Sequence, residues 1–117
     1  MKQYALLFRM DILNPESQPT KKQMQVYMQQ WQEWINDINQ NGQLDEGGSH
    51  FSHSGRVIKS NKQIIESPYV AENISVAGYI MILANNLNDA TIIANKCPIL
   101  NGQNTSVEIR EIVAPGL

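Results

Sequence analysis

The sequence predicts an α+β fold in which two helices lie on one face of an antiparallel sheet. Residues 4–10 and 76–83 are nearly continuous apolar runs of strand length, as expected of strands in the middle of a sheet. Each is followed by a stretch of helical periodicity, at residues 24–38 and 90–97. Helices placed between strands, but not after every strand, favour a split βαβ arrangement over a doubly wound one.

The first strand ends where Asn14-Pro15 and Pro19 make a turn-rich loop that cannot continue a ladder. Thr20-Lys21-Lys22-Gln23 then reads as a capping box, with the hydroxyl accepting from the amide three residues on and the Gln side chain reaching back. Met24, Tyr27, Met28, Trp31, Trp34, Ile35 and Ile38 recur at three- and four-residue steps, the core face of a helix that Asn41-Gly42 stops. Gly47-Gly48 predicts a bulge in the next strand, over residues 43–51. A small hairpin follows, Val57-Ile58-Lys59 returning through Ser60-Asn61-Lys62 to Gln63-Ile64-Ile65. Ser67-Pro68-Tyr69 breaks the pattern before the second central strand, which Gly78 interrupts. Asn86, with Asp89 three residues on, caps a short helix carrying Ala90, Ile93, Ala94 and Cys97 and stopped by Pro98. The alternation over residues 105–113 makes the last strand. This order, β-α-β-hairpin-β-α-β, is that of a ferredoxin-like split βαβ sandwich.

At 117 residues the chain fits one domain, residues 1–117, burying roughly two thirds of its unfolded surface. Apolar residues make up 42%, charged residues 17%, and the net charge is −2, which speaks against disorder and against a polyanion-binding surface. The nine Lys and Arg are scattered, not arranged in the stripe that nucleic acid requires. Cys97 is the sole cysteine and no Cys/His spacing resembles a zinc site. The expectations are therefore no metal, no cofactor and a reducing, cytoplasmic setting. The apolar run before Arg9 is too short for a signal peptide or a membrane span.

Several short segments together resemble the YCII-related (DGPF-motif) family across essentially the whole chain. They are Pro19-Thr20, Gly42-Gln43-Leu44, Gly47-Gly48, the stretch from Glu66-Ser67-Pro68-Tyr69 to Glu72, Ala77-Gly78-Tyr79, Cys97-Pro98 and Val107-Glu108-Ile109-Arg110. Glu66-Ser67-Pro68-Tyr69 stands where that family has Asp-Gly-Pro-Phe. The resemblance implies a ferredoxin-like subunit that pairs through its sheet into a homodimer, a dimeric α+β barrel, with clefts between the subunits. Some relatives with this fold use a His and an Asp as proton-transfer groups. That pair does not carry over, because the helix start offers only Lys21, Lys22 and Gln23.

The candidate site residues follow from residue chemistry. His50 and His53 sit just after Gly47-Gly48, near Asp45 and Glu46. His50 is a candidate general base with Asp45 or Glu46 as its orienter, and the alternative is a pair of partly exposed loop histidines. Both could ligate one metal only if the bulge re-aims one of them. Arg9 and Arg110 lie on predicted strands, where a guanidinium needs a carboxylate or an anionic ligand; Glu108, Glu111 and Glu66 are the available carboxylates. Tyr69 and Glu66 either line the cleft or, for Tyr69, plug the subunit contact. Cys97, on an apolar helix face before Pro98, is expected to be an inert buried thiol.

Three functions fit these residues. The first is a homodimer binding a small anionic or aromatic molecule in its cleft, with Arg9, His50, Tyr69, Glu66 and Arg110 as ligand-binding residues. The second is a cofactor-independent isomerase or lyase-like enzyme with His50 and Asp45 as its catalytic pair. The third is a protein-interaction module accessory to a regulatory partner.

Overall fold

The capping box at Thr20 is present in the computed structural model of the protein, which describes residues 1–14 and 18–116. Thr20 Oγ1 accepts from the Gln23 amide at 3.1 Å, and Gln23 Oε1 accepts from the Thr20 amide at 2.8 Å. Helix α1 (Lys21–Gln40) starts there and is closed at Gly42, whose φ is +70°. The turn expected at Asn14-Pro15 involves Pro15, which lies outside the described residues.

The strands are β1 (Lys2–Asp11), β2 (Leu44–His50), β3 (Val57–Ile58), β4 (Ile64–Ile65), β5 (Ile74–Ala84) and β6 (Ser106–Glu111), with α2 (Leu87–Ala94) between the last two. Four of them form one antiparallel sheet in the order β2-β5-β1-β6. That is the ferredoxin-like split βαβ order, and both apolar runs, β1 and β5, are the central strands. Strands β3 and β4 pair only with each other, as a two-stranded arm inserted between β2 and β5.

Strand period decides which side chains meet the helices. Tyr4, Leu6 and Phe8 of β1 and Ile80, Ile82 and Ala84 of β5 join Trp34 and Ile38 of α1 and Ala90 and Ala94 of α2 in one core. Trp31, Trp34 and Phe8 meet edge to face, at centroid separations of 4.8–6.1 Å. The Trp34 indole N–H also donates to the Ile93 carbonyl at 3.1 Å, tying α1 to the end of α2.

Two expectations about the helices are corrected. Met24 and Met28 are 44% and 52% exposed, so the buried part of α1 is its second half, with Trp34 and Ile38 in the core. Helix α2, capped by Asn86 Oδ1 on the Asp89 amide at 2.8 Å, ends at Ala94. Cys97 is buried as expected, but it caps a 3-10 turn, Pro98–Asn101, instead of riding on the helix.

The chain is thin for its mass. It exposes 8270 Å², against about 6,400 Å² for a folded monomer of its mass. Its radius of gyration is 15.6 Å, against about 13.4 Å for a compact domain of this length. Among the described residues, no helix is long and apolar enough to cross a membrane.

Candidate functional site

The side of the sheet away from the helices is uncovered. Ala5 and Leu7 of β1 lie opposite Met81 and Tyr79 of β5, and Gln3 lies opposite Leu83. Apart from Gln3, these side chains form an apolar strip across the middle strands. Polar groups flank it on both sides.

On the β6 side the register places Glu108 opposite Leu7 and Arg110 opposite Ala5. Glu108 gives Oε1 to Arg9 and Oε2 to Arg110, the latter at 3.2 Å. The hydrogen bond from Arg9, then that from Arg110, holds the Glu108 carboxyl below the usual carboxylate range. Two guanidiniums share one carboxylate, so this group carries one positive charge in excess. Of the two partners expected for a strand guanidinium, a carboxylate or an anionic ligand, both Arg9 and Arg110 find a carboxylate, and it is the same one.

Strand β2 supplies the opposite side, through two departures from regular pairing. The first inserts Asp45 between Leu44, opposite Ile82, and Glu46, opposite Met81, and two adjacent carboxylates then share the open face. Asp45 accepts from Gln3 Nε2 at 2.7 Å, and Glu46 accepts from the Tyr79 hydroxyl at 3.2 Å. The second departure is the expected one at Gly47-Gly48, which sets Ser49 across from Tyr79 and His50 across from Gly78. Gly78 also faces Phe8, so His50 belongs to the helix side, where its ring stands edge-on to Trp31 at 5.7 Å.

The proposed catalytic pair is therefore split across the sheet. His50 projects on one face, Asp45 and Glu46 on the other, and among the described residues the His50 ring makes no hydrogen bond. His53 is exposed in the loop beyond it. The described residues contain no group of three or more His, Cys, Asp or Glu able to hold a metal.

Glu66 and Tyr69 lie apart from the arginines. Glu66 accepts from Arg56 Nε at 2.7 Å across the root of the arm, with both side chains exposed. This pair borders an open cleft of about 780 Å³ whose wall includes His53, Leu13 and Pro68. Tyr69 is 72% exposed, and its carbonyl accepts from the buried Ser75 hydroxyl at 2.5 Å. Of the five residues expected to bind a ligand, the fold brings together Arg9 and Arg110. It leaves His50, Glu66 and Tyr69 elsewhere.

Two aromatic residues of the open face, Phe51 and Tyr79, are not among the expected site residues. Phe51 leans on Tyr79 with ring centroids 5.9 Å apart. The period of β5 signals Tyr79, which alternates with the core positions Ile80 and Ile82. Cys97 is no part of this face, and burial pushes its thiol up to about 12.

No protein-family model matches the chain, and no curated protein is similar to it in sequence.

Proposed function

We propose that this chain is a YCII-related protein working as a homodimer, its two open sheet faces turned toward each other, and that the cleft so formed binds a small anion with an aromatic or apolar body. The observation that carries the reading is the Arg9–Glu108–Arg110 group, a surplus cation set beside an apolar strip on an uncovered face. A guanidinium is weakly hydrated and planar, suited to a carboxylate or phosphate that arrives with apolar surface attached. The subunit's surface supports pairing. It exposes 8270 Å², an excess of roughly 1,800 Å² over the monomer norm, where a standard interface takes about 800 Å² from each partner.

The test is a thermal-shift series with benzoate, phenylphosphate and aliphatic carboxylates on the intact protein, alongside sedimentation to count subunits. Aromatic anions should raise the Tm in a concentration-dependent way, and Arg9→Ala and Arg110→Ala should each reduce the rise. If none of these anions shifts the Tm, the binding reading fails; a monomer at tens of micromolar removes the cleft itself.

A further inference from the structure

The β3–β4 arm has no cover of its own. Its ladder is two residues long on each strand, and an isolated two-stranded hairpin is marginal in water. Ile58 and Ile64 stand directly opposite each other and are 69% and 53% exposed. A cross-strand isoleucine pair facing solvent contributes little unless something is laid upon it. Lys59 and Lys62 flank the turn, both exposed, and among the described residues neither has an acidic partner.

The missing counterparts exist on the same molecule. The open face presents Leu7, Met81 and Leu83 and, beside them, Asp45 and Glu46, neither of which has a cationic partner among the described residues. We propose that the arm of one copy lies on the β2 side of the open face of a second copy. Ile58 and Ile64 rest on the apolar strip, and Lys59 and Lys62 meet Asp45 and Glu46. Twofold symmetry makes the contact twice, which lets one self-complementary surface satisfy both arms. The excess exposed surface is large enough for it.

The arm is also rooted to reach that face. The segment leading to it begins at Phe51, which leans on Tyr79 and donates its amide to the Ala77 carbonyl at 2.8 Å, and Arg56 clasps Glu66 across the arm's base. Eight residues from Phe51 to Ile58 span at most about 27 Å, against about 14 Å for three strand spacings. With the arm on the β2 side, the Arg9–Glu108–Arg110 side is left as the cleft. The inference rests on the face-to-face homodimer proposed above and specifies what holds it.

Sedimentation equilibrium on the full chain tests both ideas separately. Ile58→Lys with Ile64→Lys, and independently Lys59→Glu with Lys62→Glu, should each weaken the dimer at least tenfold. Their circular dichroism should stay native, since all four side chains are exposed. Adding Asp45→Lys and Glu46→Lys to the Lys59→Glu, Lys62→Glu chain should restore most of the loss. Dimers of unchanged affinity in both arm variants would overturn the arm contact while leaving sheet pairing intact. A weakened dimer that the charge reversal does not restore would overturn the assignment of the arm to the β2 side. A wild-type monomer would overturn arm and pairing together.

Discussion

A Cβ placed on Gly48 would lie 1.7 Å from the carbonyl oxygen of Tyr79, and Gly48 has φ +70°. Strand β2 therefore approaches β5 at a place where only glycine fits. Gly48→Ala incurs about 1–3 kcal/mol for the backbone conformation alone, with the clash added to it. Gly47 has nothing within 4 Å of its would-be Cβ, so Gly47→Ala should stay within about 0.5 kcal/mol of wild type. Urea unfolding of the two variants checks the contrast.

Trp34 spans the two helices, its ring in the core and its N–H on the Ile93 carbonyl. Trp34→Ala should lose about 3–5 kcal/mol. Trp34→Phe keeps most of the apolar volume and removes one donor from that carbonyl, which still accepts from the Lys96 amide at 3.3 Å, and should lose about 0.5–1.5 kcal/mol. Chemical denaturation followed by far-UV circular dichroism separates the two.

The Glu108 carboxyl titrates below its ordinary value of 4.5 because Arg9 and Arg110 bond its charged form. Its contribution is present above that ordinary value and is lost as pH falls through the lower folded value, because the unfolded chain then binds more protons than the native one. Glu108→Gln should flatten the fall of Tm as pH drops below 4.5. Equal acid slopes in the two proteins would show that Glu108 does not contribute to it.

Cys97 behaves in the opposite sense. Burial raises its thiol from 9.0 to about 12, so the folded state keeps the proton after the unfolded chain has released it. That contribution is complete below pH 9 and disappears as pH climbs toward 12. Cys97→Ala should show a shallower alkaline loss of stability than wild type. In the native protein at pH 8, iodoacetamide should label Cys97 only as fast as the chain opens, with urea accelerating the reaction sharply.

Local signals were legible in the sequence because their causes are local. Thr20 with Gln23 and Asn86 with Asp89 mark helix starts through hydrogen bonds three residues long. The period of α1 likewise identified the face bearing Trp31, Trp34 and Ile38. The period does not say how much of that face is covered, and Met24 and Met28 on it are exposed. The site was harder to read for a related reason. Whether His50 shares a face with Asp45 depends on how many extra residues β2 carries, and one of its two irregularities, at Asp45, has no glycine to announce it. That Arg9 and Arg110 need a carboxylate or an anionic ligand follows from their strands, but that Glu108 serves both follows only from the β1–β6 register.

Strand β1 lies in the middle of the sheet, yet both of its neighbours come from the far part of the chain: Tyr4 faces Ile82 on one side and Glu111 on the other. During synthesis, Tyr4, Leu6 and Phe8 must therefore wait for some eighty further residues before any strand can pair with them, roughly 4–16 s at usual elongation rates. Over that interval the segment lacks both strand neighbours, and an unpaired apolar strand is the kind of surface that makes a folding chain prone to aggregate.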